Sequence, residues 1–231
     1  MKTLAFDTST FTATAAVVDG RDVLAESSAL QRAGHSERLL PLVDEVLARA
    51  GLTLAQVDRL AVGVGPGSFT GVRLGLATAK GLQLATGLPL VGVSSLAALA
   101  ASAWALEGPL LAAIDARRDE VYAAFYLQRG GLREAVREAL HAPPEALGEL
   151  ALSAFPNGRV TVVGDLGDAL YRRLTASAPE RFVRAPGAVA TPLARFIAWE
   201  ADEGRGRLDD GALEPEYLRG ADAKLPGGVA P

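Results

Sequence analysis

Three glycines inside one helix constrain this chain more than any other feature. From Gly63 to Gln83 the sequence reads GVGPGSFTGVRLGLATAKGLQ. An apolar strand ending near Val64 runs into a corner of Gly65, Pro66, Gly67 and Ser68, then into a helix capped by Ser68 or Thr70. Gly71, Gly75 and Gly81 fall in the helix interior, where each is less favourable than alanine by about 0.5 to 1 kcal/mol. Packing must offset a total of roughly 2 kcal/mol. Gly71, Gly75 and then Thr78 or Ala79 follow the i, i+4, i+7 spacing, so they line one smooth ridge on which another backbone, expected to be a second helix, can lie close.

Glycines at a helix start also attract phosphate, but the spacing here argues against it. A phosphate loop needs G-x-x-x-x-G-K-[ST], whereas Thr70 and Val72 stand where its second glycine would fall and the nearest lysine is Lys80. Thr70 likewise occupies the third-glycine position of a dinucleotide fingerprint. The glycines are therefore read as packing devices.

Composition narrows the function classes. With 49% apolar residues among 231, the chain has ample material for a core. No apolar run reaches the roughly 18 residues of a membrane span, and Asp7 interrupts the start MKTLAFDTSTFT too early for a signal peptide. A cytoplasmic protein without membrane contact is expected. The absence of cysteine excludes disulfides, thiolate metal sites and a cysteine nucleophile. A net charge of -4 opposes collection of a polyanion, so any contact with nucleic acid must be shared with a partner.

Patterning along the chain predicts strands at 2–8, 12–18 and 22–28, the last two joined by Asp19-Gly20. A helix over 35–50 follows, with Leu39, Val43, Val46 and Ala50 on one stripe and Gly51 as its stop. A strand at 57–65, the glycine-bearing helix, a strand at 90–93 and an alanine-rich helix at 96–106 complete a first unit. The pattern then restarts with strands at 110–114, 120–128 and 132–140, a hairpin turn at Gly130-Gly131, a helix begun by Pro143-Pro144, a strand at 159–164 and a helix at 165–176. The order strand, strand, strand, helix, strand, helix thus occurs twice, which reads as a structural duplication. Thr191-Pro192 is read as a cap followed by proline at the first helical position of a helix to about Glu203. The tail from Asp222 onward is expected to fray.

Four segments, LAFDTST at the start, GVGPGSFTGVRLGLATAKGL, DARRDEVYAA at 115–124 and PEYLRG at 215–220, resemble the bacterial TsaB family. The resemblance covers most of the chain, and its second segment is highly specific. It implies an α/β, actin-like fold (ASKHA type, ribonuclease H-like) with two duplicated lobes, each a mixed sheet with flanking helices. The N-terminal lobe would span 1–106, joined by part of 190–220, and the C-terminal lobe 107–189. Members of that family are non-catalytic subunits of the machinery that makes threonylcarbamoyladenosine next to the anticodon, in tRNAs reading codons that begin with adenine. The catalytic paralogue TsaD would be the partner in a heterodimer, a homodimer would form in its absence, and the pathway's ATPase subunit TsaE would join through the complex. Contact with tRNA would be indirect.

Departures from related patterns guide the site assignments. TsaD carries a metal-binding His-x-x-x-His pair where this chain has Ser95 and Leu99, and neither side chain can replace an imidazole. No metal site is expected. His35 is read as a helix-terminus or surface residue and His141 as a loop residue. Asp7, Thr8 and Ser9 follow strand one, where actin-like ATPases keep groups near phosphate and magnesium, and Asp115 ends the matching strand of the second unit. These four are the nucleotide-site candidates, since two carboxylates across a cleft could hold a hydrated Mg2+; capping of turns by Asp7 and Asp115 is the competing reading. The turn after Asp7 lacks a phosphate-wrapping glycine, and 164–167 only loosely matches an adenosine loop. No cofactor is expected to be required, and ATP or ADP with Mg2+ should bind weakly at most.

Leu39, Leu42 and Val46, with Val72, Arg73, Leu76 and Lys80, are the predicted partner interface, two helices forming half of a four-helix contact. Arg117-Arg118 and Arg205-Gly206-Arg207 are interleaved with acids and read as solvated faces. Trp104 and Trp199 are read as core or lobe-junction residues. Two other functions remain to be weighed: an actin-fold ATPase or phosphotransferase using Asp7 and Asp115, and a metallopeptidase, for which the chain lacks H-E-x-x-H.

Overall fold

A computed structural model describes residues 1–30, 38–164, 166–185 and 191–218. His35 and the tail from Asp222 lie outside these residues. The first unit runs β1 (Lys2–Asp7), β2 (Thr12–Asp19), β3 (Asp22–Leu30), α1 (Leu39–Arg49), β4 (Arg59–Gly63), α2 (Phe69–Thr86), β5 (Leu90–Val93) and α3 (Ser95–Ser102). The second runs β6 (Gly108–Arg117), β7 (Glu120–Arg129), β8 (Leu132–Ala142), α4 (Pro144–Ala154), β9 (Val160–Val163), α5 (Asp168–Leu174) and β10 (Phe182–Arg184), after which α6 (Ala194–Asp202) packs back on the first sheet. A short β11 (Arg207–Leu208) follows.

The two sheets repeat one strand order. The first is β11-β5-β4-β1-β2-β3 and the second β10-β9-β6-β7-β8, so apart from the added β11 each strand has a counterpart. In both, an antiparallel meander (β1-β2-β3, β6-β7-β8) is extended by parallel strands that need helical crossovers. β10 occupies the place of β5. Its three residues are too short to show an alternation, so it went unpredicted. β11 pairs antiparallel with β5 through Arg207 and Gly92, returning the end of the chain to the first sheet.

Four apolar clusters define the layers. α1 and α2 cover one face of the first sheet through Leu39, Leu42, Val43, Val46 and Leu76 against Leu4, Phe6, Leu60 and Val62. α6 covers the opposite face with Phe196, Ile197 and Ala201, joined by Ala98 and Ala101 of α3. The other side of α3, with Leu96, Leu99 and Ala103, packs on Leu110, Ala112 and Val163 of the second sheet. α4 and α5 close that sheet's outer face with Leu147, Ala151 and Leu174 around Phe125. α3 is thus apolar and buried on nearly all sides because it lies between two sheets.

Several local expectations are corrected. Thr191-Pro192 does not cap α6: the N-cap is Leu193, and the Pro192 carbonyl accepts the Thr14 hydroxyl at 3.0 Å. α3 ends at Ser102 rather than 106. His141 lies within β8 and faces Tyr122 edge-on across the ladder, so it is not a loop residue. Trp104 is exposed, while Trp199 packs at the edge of the α6 cluster beneath Arg21. The ridge on α2 faces a loop rather than a helix, as the site geometry shows.

Candidate functional site

The turn after β1 and the start of α2 are built as one unit. A Cβ on Gly71 would meet the Thr8 carbonyl oxygen at 2.0 Å, one on Gly75 the Thr8 Oγ1 at 2.5 Å, and one on Gly67 the Ser9 carbonyl oxygen at 2.3 Å. Only glycine lets the turn lie this close. Ser68 caps α2, accepting from the Gly71 amide at 3.3 Å, while its own amide donates to the Ser9 carbonyl at 2.7 Å. Thr8 Oγ1 donates to the Gly71 carbonyl at 2.6 Å. Gly81, off this ridge, meets nothing within 4 Å.

Asp7 is the centre of this unit and is wholly buried. Its Oδ1 accepts from the Ser9 amide at 2.8 Å and the Ser9 hydroxyl at 2.7 Å, and its Oδ2 accepts from the Ser95 hydroxyl at 2.7 Å. A Cβ on Gly63 would fall 1.8 Å from Oδ2, so β4 also covers the carboxylate. Burial pushes the Asp7 carboxyl above its ordinary range, against the pull of the Ser9 and Ser95 hydrogen bonds. Asp7, Thr8 and Ser9 therefore face inward. Of the two readings weighed for Asp7, the turn-holding one fits this geometry, and Thr8 and Ser9 are buried with it rather than lining an open cleft.

Asp115 is half-buried at the β6–β7 turn, where it accepts from the Arg117 amide at 2.7 Å and pairs with the Arg117 guanidinium at 3.2 Å. Both carboxylates hold turns. With Asp7 enclosed by Ser9, Ser95 and Gly63, the pair does not fit a hydrated Mg2+ shared across a cleft.

Ser95 and Leu99, the positions that the resemblance sets against a histidine pair, serve packing: Ser95 holds Asp7, and Leu99 lies in the core between the sheets. Among the described residues no three His, Asp or Glu side chains are grouped as metal ligands, and no helix is long and apolar enough to cross a membrane. The basic clusters are engaged too. Arg205 pairs with Glu200 and Glu203, and Arg207 donates to the Glu214 carbonyl.

The predicted interface divides. Leu39, Leu42, Val46, Val72 and Leu76 are buried in the first lobe, Leu76 with only 5% exposed, and cannot be reached from outside. That part of the expectation is corrected: α1 and α2 use this surplus on the sheet beneath them. Arg73 is exposed and Lys80 half-exposed. The open face of α2 is instead Phe69, Arg73, Ala77 and Leu84. Leu84 is 90% exposed. Sequence reasoning missed its aromatic end: the Arg73 guanidinium lies 3.7 Å from the Phe69 ring centroid, and its Nε donates to the Tyr217 hydroxyl at 2.6 Å. Phe69 and Tyr217, 5.5 Å apart between centroids, are each 47% exposed. No spacing rule links residues so far apart in the chain. Tyr217 arrives because the Glu216 amide donates to the Val64 carbonyl at 2.7 Å and Leu213 is buried in the first lobe's core.

Two lobes of identical strand order packed about a central helix define an actin-like protein of the ASKHA type, here with its first turn closed over Asp7. That fold agrees with a hexokinase of the ROK type from Thermus thermophilus, which is 15% identical with a TM-score of 0.51 and is covered in full by 88% of this chain. The family model for TsaD, tRNA N6-adenosine threonylcarbamoyltransferase, matches residues 22–188. A Pseudomonas aeruginosa structure described as an uncharacterized protein with similarity to peptidase YeaZ is 31% identical with a TM-score of 0.78, the match covering 94% of this chain and 99% of that one. The Escherichia coli protein TsaB, named for tRNA threonylcarbamoyladenosine biosynthesis, is 44% identical over 128 residues, 54% of this chain. That match spans 55% of the relative's length. The chain belongs to the TsaB family.

Proposed function

We propose that this chain is the non-catalytic assembly subunit of a threonylcarbamoyl-transfer machinery acting on tRNA, and that it works by binding a TsaD-type paralogue. The carrying observation is the fate of Asp7, Ser95 and Leu99: positions that the family resemblance sets against nucleotide- and metal-binding groups here form a closed hydrogen-bonded unit and a hydrocarbon core. Such a chain has its surface to offer rather than a reaction centre. The open α2 face of Phe69, Arg73, Ala77 and Leu84, with Tyr217, combines aromatic and arginine anchors with small residues that admit a partner helix. A second copy would occupy the same face when the paralogue is absent. In this reading TsaE joins through the complex, tRNA is touched indirectly, the chain needs no cofactor of its own, and the partner-binding lobe is 1–106 with part of 190–220.

The test is co-purification with the cognate TsaD-type protein, followed by a tRNA modification assay omitting each component in turn. Modification that requires this chain, together with its capture by the partner, supports the reading. Modification at full rate without it, or turnover of ATP with Mg2+ by the chain alone, overturns it.

A further inference from the structure

The duplication places the turn after β1 and the turn after β6 at equivalent points of the two lobes, and these turns touch. Phe11, 61% exposed on the first, lies beneath the Arg117 guanidinium of the second, whose central carbon is 4.1 Å from the ring centroid. Arg117, Arg118 and Asp119 take φ values of 66, 53 and 61°: the two-residue hairpin loop between the paired Arg117 and Glu120 accounts for positive φ at 118 and 119, while Arg117 owes its own to the register shift after Asp115. Asp115 fixes Arg117 from below, through amide and guanidinium, and Arg173 of α5 holds Asp119 at 3.2 Å.

A second cross-lobe contact lies near the C-terminal end of α3. Glu200 of α6, 1% exposed, meets Arg133 at the start of β8, with Arg133 NH2 approaching Oε2 to 2.5 Å as a charge contact rather than an aligned hydrogen bond. Arg205 engages the same carboxylate at 2.6 and 2.9 Å. Nearby, the Gln128 amide of β7 donates to the carbonyls of Ala103 and Trp104 just beyond α3. Two sheets with separate cores would by default hinge about the helix between them. Here one contact lies toward the N-terminal end of that helix, where Ser95 holds Asp7, and the other toward its C-terminal end, where Gln128, the ladder partner of Arg133, reaches Ala103.

We propose that Phe11–Arg117 and Glu200–Arg133 form a two-point clamp that locks the angle between the lobes, so that the chain behaves as one rigid body rather than as a hinged cleft. The left-handed run at 117–119 is the feature that aims Arg117 across the gap. The proposal does not rest on the assembly reading, because it is tested on the lone chain.

The chain's lack of cysteine permits the test. Ala48→Cys on α1 and Glu149→Cys on α4, both exposed on outer helices, would carry spin labels, with unlabelled chain in excess to remove contacts between copies. Double electron–electron resonance should give one narrow distance distribution in the parent. Phe11→Ala and Arg117→Ala should each shift it toward longer, broader distances, and the double variant should go no further than either single one, because both remove the same contact. Far-UV circular dichroism and thermal melting confirm that each variant is folded; Phe11 is exposed enough for its removal to spare the core. A parent distribution already broad, or folded variants with the parent's narrow one, overturns the clamp.

Discussion

Ser95 gives its hydroxyl hydrogen to Asp7 Oδ2 at 2.7 Å, and this bond ties the first turn of the central helix to the end of the first strand. The remaining partners of Asp7 belong to Ser9, whose carbonyl in turn receives the amide of Ser68 at the start of α2. One buried carboxylate thereby joins β1, α2 and α3. In an open cleft the same group would face solvent and ligand.

Asp7→Ala should therefore destabilise the fold itself. It leaves the Ser9 amide, the Ser9 hydroxyl and the Ser95 hydroxyl without their acceptor, at about 1 to 3 kcal/mol for each buried group left unsatisfied. Asp7→Asn keeps the shape and most acceptor capacity, so it should retain more stability than the alanine variant. Urea denaturation of the three proteins at neutral pH checks the order.

Asp7 also predicts a pH dependence. Burial raises its folded pKa above the ordinary 3.8, so its ionisation opposes folding. Its contribution is fully present below the unfolded value and is lost as pH rises through the folded one. Relative to Asp7→Asn, the parent should gain stability as pH falls from neutrality through the raised pKa, the gain levelling off below 3.8. Paired melting curves across that range test the sign, and a parent that loses ground on acidification contradicts it.

The glycines of α2 should separate cleanly. Gly71→Ala drives a methyl into the Thr8 carbonyl oxygen, which is backbone and cannot step aside, so a loss of about 1 to 3 kcal/mol or more is expected. Gly81→Ala meets open space and should stabilise by about 0.5 to 1 kcal/mol through reduced unfolded-state freedom. Opposite signs in chemical denaturation are the required result.

Two leucines of the same helix test the proposed partner face. Leu76→Asp buries a carboxylate in the first core and should unfold the chain or cost it several kcal/mol. Leu84→Asp, on the open side, should leave stability within about 0.5 kcal/mol and abolish capture by the TsaD-type partner. Thermal melting paired with pull-down decides it: a folded Leu84→Asp chain that still binds places the interface elsewhere.

Leu213 tests the strap that carries Tyr217. It is buried in the first core against Gly92, where a Cβ would meet its Cδ1 at 2.6 Å. Leu213→Ala should destabilise by about 2 to 5 kcal/mol and loosen Tyr217 from Arg73, which tyrosine fluorescence anisotropy would register.

The sequence by itself determined the local elements and their repetition. Alternating apolar residues set the meander strands, and proline and glycine set their boundaries, because those signals act within a few residues of the chain. The spacing of Gly71 and Gly75 announced a close backbone contact but could not name the partner: a smooth ridge accepts a helix or a turn equally, and the Thr8–Ser9 turn became its neighbour only when β1 paired with β4. Tertiary structure likewise decided which side of α2 is open. Leu76 and Leu84 are alike in sequence, and only the sheet beneath the helix turns one into core and leaves the other in solvent. The contacts of Arg73 with Tyr217 and of Arg117 with Phe11 join distant segments, so no local pattern encodes them. They arise when the second lobe repeats the first and the chain's end returns to the first sheet through β11, since long-range proximity follows from sheet pairing rather than from the sequence near either residue.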